Sequence, residues 1–249
     1  MKQAQRLLFV FLLLATVSAQ AQNVGIGTTT PAASAQLDVS STTKGFLPPR
    51  MDSTARNAIV SPAAGLTIYN TTLKSVQVYN GTAWYSTVHF IGESYGGGIV
   101  FYVYDNGQHG LIAATADQSS GIQWYNWTYR HTGTYGDGLN AGAMNTALII
   151  ATQMADNQTG NFAAKVCADY SVTVGGFGGI RYGDWYLPSK HELNLLYLQK
   201  TVVGGFISFN YWSSSENGVN TAWYQNFFDG HQFNDVKFNE FRVRAVRAF

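Results

Sequence analysis

The chain has 249 residues, of which 46% are hydrophobic, 14% aromatic and 12% charged, and its formal net charge is +1. The hydrophobic share is sufficient for a packed core, and the length fits one moderately large domain or two small ones. A net charge so close to zero excludes a strong overall field for nucleic acid or anionic lipid, so we predict no nucleic-acid partner. The 26 glycines and the many aromatic residues are typical of a turn-rich β protein.

The first 21 residues have the pattern of an export signal. Lys2 and Arg6 precede an apolar run, and the small residues of Ala19-Gln20-Ala21 suit a signal peptidase. We therefore predict a Sec-type signal peptide over residues 1–21 and an extracellular or outer-surface location. The apolar run is about half of the ~20 residues that a membrane-spanning helix needs. No later run is longer, so we predict no transmembrane segment in the mature chain.

Residues 22–87 are rich in Thr, Ser, Ala and Pro. Two short alternating runs, residues 66–70 and 76–80, predict a β-hairpin. A region of about 65 residues with so little continuous apolar sequence would hardly bury a core alone. Two interpretations stay open for it: an extended β-rich stalk that gains burial as a homotrimer, and a flexible linker with one hairpin.

Residues 88–249 are denser in Trp, Tyr and Gly and contain the longer periodic segments. A helix is predicted near residues 145–155, apolar on most sides and therefore buried. A second helix is predicted to begin at residue 189. The predicted strands are residues 98–105, 110–117, 211–215, 222–228 and 241–249.

The second helix begins with a charged cluster that has two interpretations. Ser189 is followed three residues later by Glu192, which matches a capping box. Lys190 and His191 lie between them, so the group can also be interpreted as a catalytic cluster. Because capping accounts for Glu192 and solvent exposure for the other two, we favour a structural helix start.

Catalytic and metal-binding motifs are weak or missing. His191-Glu192 would begin a zinc-binding HExxH motif, but residue 195 is Leu. The five histidines have no metal-ligand spacing, so we predict no metal, no cofactor and no catalytic residues. The single cysteine, Cys167, excludes an internal disulfide and is predicted to be a buried, inert thiol.

The segment from Gly92 to Phe249 resembles the C-terminal domain of the Legionella collagen-like adhesins. The residues that carry the resemblance include GGGIVFYV (96–103), DWYLPSKHELNLLY (184–197) and RVRAVRAF (242–249). The resemblance implies an α+β, C-type-lectin-like fold at residues 88–249, with two helices, small irregular antiparallel sheets and long loops that form a binding face. The Glu-Pro-Asn and Trp-Asn-Asp calcium motifs of true C-type lectins are absent, so no calcium-dependent sugar site is expected.

The N-terminal region resembles modules of Bacteroidetes-type exported proteins and of phage tail fibres. The motifs are NVGIGTTTPAASAQLDV (23–39) and VQVYNGTAW (76–84). The resemblance implies an extended trimeric stalk that displays the following domain.

The C-terminal segment resembles the framework of variable proteins that diversity-generating retroelements target. Residues 211–216 (YWSSSE) and 242–249, with Gln225, Gln232 and Lys237, match this framework. The resemblance implies that the positions between them vary. Such elements mutate adenines, often in asparagine codons, which leaves Glu, Gln, Lys, Met and Trp out of reach.

The candidate variable positions obey this restriction, except at Glu240. Their aromatic side chains offer rigid contact area, and their Asn, Asp and His side chains can form hydrogen bonds. The alternative is the polar loop face of an undiversified paralogue. The predicted ligand-binding residues are Asn217, Val219, Asn220, Tyr224, Asn226, Phe228, Asp229, His231, Phe233, Asn234, Asp235, Val236, Phe238, Asn239 and Phe241.

These features favour a secreted or cell-surface adhesion protein that recognises a surface glycan or protein, and not an enzyme. Two alternatives stay open. A phage tail-fibre adhesin would fit the N-terminal resemblance. An oxidase similar to the formylglycine-generating enzymes would use the same scaffold, but it needs neighbouring cysteines, which a single Cys167 cannot supply.

Overall fold

The computed structural model describes residues 23–155, 157–176 and 178–249. The predicted signal peptide lies outside the described residues. Strands and a smaller number of helices alternate irregularly along the chain, and most strand pairs are antiparallel. The protein is therefore an α+β protein, as predicted.

The N-terminal part contains a ribbon and a small sheet. The elements are β1 (Val24–Ile26), β2 (Leu37–Val39), β3 (Arg50–Met51), α1 (Ser53–Asn57), β4 (Thr67–Asn70), β5 (Ser75–Tyr79) and β6 (Trp84–Ser86). Strands β1 and β2 pair in parallel, and the sheet has the order β3-β4-β5-β6. The antiparallel β4–β5 pair confirms the predicted hairpin.

Buried polar side chains share the inner face of this sheet with the buried Ile68. Asn70, Ser75 and Gln77 are buried there. Gln77 Oε1 accepts hydrogen bonds from Asn70 Nδ2 at 2.9 Å and from a guanidinium nitrogen of Arg56 at 2.7 Å. This polar interior agrees with the small apolar content of the segment.

The rest of the described chain contains a four-stranded sheet, a five-stranded sheet, a short hairpin, four α-helices and a 3-10 helix at Asp105–Gly107. The strands are β7 (Ser94–Tyr95), β8 (Gly98–Tyr104), β9 (His109–Ala113), β10 (Ser119–Ile122), β11 (Val172–Val174), β12 (Ile180–Tyr182), β13 (Asn210–Glu216), β14 (Thr221–Asn226), β15 (Gln232–Val236), β16 (Phe241–Val243) and β17 (Val246–Ala248). The helices are α2 (Ala141–Met154), α3 (Ala163–Ala168), α4 (Lys190–Leu198) and α5 (Lys200–Val203). The sheets have the orders β17-β9-β8-β7 and β10-β16-β13-β14-β15.

The predicted final strand over residues 241–249 is wrong, because the chain divides there between the two sheets. Strand β16 pairs with β10 and β13, whereas β17 pairs with β9. Between them Arg244 is fully buried, and its Nε lies 2.6 Å from Asp117 Oδ1. Arg242 binds the other oxygen of this carboxylate at 2.8 Å. The buried ion pair fixes the turn between the sheets.

Helix α2 exists as predicted, but its burial differs from the prediction. Asn145, Thr146 and Gln153 are buried, whereas Met144 and Leu148 are exposed. The three polar side chains bond to backbone groups of neighbouring segments, at 2.7, 3.0 and 2.9 Å respectively. The helix is thus held by polar anchors that an apolar pattern does not indicate.

The capping box at the start of α4 is confirmed. Ser189 Oγ accepts from the backbone N–H of Glu192 at 3.2 Å, and Glu192 Oε2 accepts from the backbone N–H of Ser189 at 2.8 Å. The fully buried Glu192 also accepts from Asn140 N and Tyr186 OH through Oε1, at 2.8 and 3.0 Å. Burial raises the pKa of Glu192, although these hydrogen bonds oppose the rise. The carboxylate is therefore part of the fold.

Replacing Ser189 with Ala is expected to lower the free energy of unfolding by about 1–2 kcal/mol. The change removes the cap and also leaves the Gly138 carbonyl without the hydroxyl that donates to it at 2.9 Å. Urea denaturation measures the loss. The exposed neighbour supplies a control, because His191→Ala should change stability by less than about 0.5 kcal/mol. Equal midpoints for the two variants would contradict the prediction.

Candidate ligand-binding surface

The β14–β15 hairpin places the predicted binding residues on two faces. Tyr224 pairs with Phe233, and Ala222 pairs with Asp235. Because side chains alternate along a strand and paired residues share a face, Tyr224, Phe233 and Asp235 lie on one side. Asn234 lies on the opposite side, although it is exposed. Strand β15 forms an edge of its sheet.

The inner face of the hairpin carries framework residues and packs on α4. Lys190 Nζ lies 3.9 Å from the ring centroid of Trp223. Gln232 Nε2 donates to the Lys190 carbonyl at 2.7 Å, and Gln225 Nε2 donates to Asn194 Oδ1 at 2.9 Å. These contacts hold the hairpin rigidly on the helix, so its outer face has a fixed shape.

The outer face carries an aromatic cluster that is open to solvent only along β15, because Ala222 is buried and the half-buried Tyr224 packs on the core. The ring centroid of Phe233 lies 6.1 Å from that of Tyr224 and 5.9 Å from that of His231. Phe233 is 50% exposed. Phe241 is only 7% exposed, because its ring packs 4.4 Å from Trp212 in the core. The prediction that Phe241 contacts ligand is therefore wrong, and this side chain supports Tyr224 from below at 4.7 Å.

The other predicted residues lie at the two ends of the hairpin. At one end, Lys237 N donates to Asn220 O at 2.9 Å, which joins the β13–β14 turn to the segment after β15. At the other end, the side chains of Asn226 and Asp229 accept backbone N–H groups and shape the turn. The hydrogen bond from His231 N lowers the pKa of Asp229. The exposed residues at these ends are Asn217, Val219, Asn220, Phe228, Asp229 and Phe238. The half-buried ones are Asn226, Val236 and Asn239, of which Val236 lies on the inner face.

A buried ion pair supports the first of these ends. Glu216 Oε1 lies 2.5 Å from Lys237 Nζ, and both side chains are fully buried. Lys237 also donates to the carbonyls of Val219 at 2.8 Å and Arg130 at 3.1 Å. Burial lowers the pKa of Lys237, and the nearby Glu216 carboxylate opposes this effect. The pair thus joins the β13–β14 turn to a distant loop.

That loop, residues 127–135, is fixed by the same carboxylate. Glu216 accepts the backbone N–H groups of Thr132 and Gly133, each at 3.0 Å. Glu216 N donates to Thr134 O at 2.8 Å, and His131 Nδ1 lies 2.9 Å from Glu216 Oε2. The loop therefore lies beside the predicted binding residues of the β13–β14 turn.

The loop displays aromatic side chains that sequence reasoning missed. Trp127 is 70% exposed, and Tyr129 and Tyr135 are also exposed. Trp127 has a φ of +66°, a left-handed conformation that is strained for a large side chain. The preceding Asn126 is buried and donates to the Asn157 carbonyl at 2.6 Å. The density of aromatics in residues 124–129 was the available signal, but it did not distinguish displayed rings from core rings.

The described part of the chain offers little for metal or thiol chemistry. No group of three or more His, Cys, Asp or Glu residues there could hold a metal ion. Cys167 is buried, as predicted, and burial raises the pKa of its thiol. Among the same residues, no helix has the length and apolar character that crossing a membrane requires.

Comparison with known families gives two matches. Residues 113–247 match the model of the Lcl C-terminal domain, named after the Legionella collagen-like protein. Residues 25–116 match the model of a phage tail like trimerisation region. Both models describe adhesin-type or structural regions and not enzymes. No curated protein matches the chain.

Proposed function

The chain belongs to the family of the Lcl C-terminal domain, and from this premise we propose that it is an exported, trimeric adhesion protein. Residues 22–87 form the stalk in this proposal, and residues 88–249 form a C-type-lectin-like head. The head binds a glycan or protein on another surface. The trimerisation match supports the stalk, and the family of the head supports adhesion.

The observation that carries the proposal is a rigid display of exposed aromatic rings. Phe233 and His231 project from the edge hairpin, and Trp127 projects from the neighbouring loop. The rings of Phe233 and His231 are exposed together, and an exposed aromatic patch indicates an interaction site. Binding energy at interfaces concentrates in such aromatic side chains, particularly when their conformation is fixed in advance. Here the helix contacts of the hairpin and the Glu216–Lys237 pair supply that fixation.

Two segments share the proposed surface. One is the outer face and the ends of the hairpin, with the predicted residues other than Phe241. The other is the loop of residues 127–135, which is anchored to the first segment through Glu216 and Lys237. A ligand that contacts both segments buries rings from each, which suits a broad macromolecular surface.

The proposal includes diversification of the hairpin residues by a retroelement. It is supported by the placement of residue types. Gln and Lys are residue types that mutation of adenines in asparagine codons cannot produce, and Gln225 and Lys237 are buried. Asn217, Asn220 and Asn234 are exposed. The gene sequence tests the idea, because every variable codon should end in a pyrimidine and a near-identical template should lie nearby. Purine-ending codons at these positions would exclude it.

Loss of an aromatic anchor is expected to weaken binding by about 10- to 100-fold for each of Trp127→Ala and Phe233→Ala. The measurement begins with the trimer on an array of glycans and surface proteins, followed by titration of the ligand found. Val60→Ala is the control, because Val60 is 89% exposed and lies outside residues 88–249. Unchanged affinity in both aromatic variants would reject this surface.

A phage tail-fibre adhesin is the second candidate, and the trimerisation match favours it. The two candidates differ in export. Mass spectrometry of the native protein should find an N-terminus at Gln22 outside the cell if the first proposal is correct. An intact Met1 in a virion particle would favour the second.

A further inference from the structure

One face of the β1–β2 ribbon is aliphatic and uncovered. Val24 pairs with Leu37, and Ile26 pairs with Val39. These four side chains share a face, since paired and alternate residues of parallel strands point the same way. They are 43% to 57% exposed.

The opposite face of the ribbon lies against the connecting turn. A Cβ atom at Gly25 would lie 2.6 Å from the Thr28 carbonyl oxygen and 2.9 Å from Cγ of Pro31, so glycine permits this close approach. Asp38 on the same face accepts the Ala32 N–H through Oδ2 at 2.9 Å. The turn therefore closes one face of the ribbon and leaves the aliphatic face open.

An isolated two-stranded ribbon is not stable in water and needs a surface to pack on. The exposed aliphatic side chains contain no charge, so identical copies of this face can meet without repulsion. Both strands lie almost entirely within the trimerisation match, which begins at Gly25. These observations favour further copies of the same ribbon as the occupant of the open face.

We propose that three ribbons, one from each copy, pack their aliphatic faces around a threefold axis and form the principal contact of the trimer. The inference rests on the proposed trimeric function and deepens it by naming the surface. The competing surface is the open face of the β3–β6 sheet, where Tyr69, Val78 and Tyr85 lie. Tyr85 is 58% exposed, but Tyr69 and Val78 are already half-buried, so a smaller part of that face is open to a partner than of the ribbon, where all four side chains are exposed.

The test compares charged variants of the full chain purified after export, with light scattering as the measure of mass. Ile26→Asp/Val39→Asp should convert the trimer to a monomer with an unchanged circular dichroism spectrum. Val60→Asp is the matched control, because Val60 is 89% exposed outside the ribbon, and it should remain trimeric. Val78→Asp tests the competing sheet face and should also remain trimeric.

A crosslink tests the same contact without a destabilising charge. Ile26→Cys should form disulfide-linked chains on mild oxidation, whereas Val60→Cys should not, and the buried Cys167 does not compete. If Ile26→Asp/Val39→Asp remained trimeric, or if Ile26→Cys formed no crosslink in a trimeric protein, the ribbon would not be the principal contact. Either result would overturn this inference and leave the proposed trimer in place. A monomeric parent protein would instead reject the proposed trimer itself.

Discussion

The Glu216→Gln variant is expected to lose about 3–5 kcal/mol of unfolding free energy, because it leaves the ammonium group of Lys237 buried without a counter-charge. Both side chains are fully buried, and the ammonium nitrogen lies 2.5 Å from the carboxylate oxygen. The loop of residues 127–135 also loses the anionic acceptor for Thr132 N and Gly133 N. Hydrogen bonds to charged groups are stronger than neutral ones, so both effects have the same sign.

A double variant separates the charge effect from the packing effect. Glu216→Gln/Lys237→Met removes both charges and should recover part of the loss, since an uncharged pair of similar volume avoids the burial penalty. Urea denaturation of the parent, both single variants and the double variant gives the coupling energy. If Glu216→Gln alone were as stable as the parent, the pair would not support this end of the surface.

The Glu216→Gln variant also links stability to ligand binding. The Glu216 carboxylate holds Thr132, Gly133 and His131 of the loop beside the β13–β14 turn. Loosening this part of the loop removes the fixed position of the exposed Tyr135 ring, whose hydroxyl lies 2.6 Å from His131 Nε2, and binding must then include the cost of ordering it. Ligand affinity should therefore fall in Glu216→Gln even under conditions where the variant remains folded.

Contacts between residues close in sequence were predictable, and those between distant residues were not. The capping box depends on residues three apart, and the β4–β5 hairpin depends on two adjacent alternating runs, so the sequence indicated both. Glu216 and Lys237 are 21 residues apart, and Thr132 lies 84 residues from its acceptor Glu216. No local pattern connects such residues, and the loop of residues 127–135 was therefore missed.

Side-chain direction explains the remaining differences. The alternation of β14 and β15 separates Asn234 from Tyr224 and Phe233, although all three are near neighbours in the hairpin. Phe241 follows the same variable-looking segment, but the pairing of β16 with β13 directs its ring towards Trp212. A sequence pattern shows residue types, whereas exposure depends on which neighbouring strand each residue faces.

The trimer proposal leads to a large expected effect on surface binding. Linking three heads makes the second and third binding events intramolecular, which raises apparent affinity for a densely covered surface by about 10²- to 10⁴-fold. The parent should therefore bind a dense layer of its ligand far more tightly than Ile26→Asp/Val39→Asp. The affinity of a single head for soluble, monovalent ligand should be equal in the two proteins.

Biolayer interferometry at high and low ligand density measures this difference, with the ligand identified on the array and Val60→Asp as the control. At low density the spacing between ligands exceeds the reach of one trimer, so the advantage of the parent should disappear. Because the ribbon carries no predicted binding residue, a loss confined to dense layers reports on assembly. An equal loss for soluble ligand would show instead that the ribbon substitutions disturb the head, and equal binding at high density would show that the three heads do not act together.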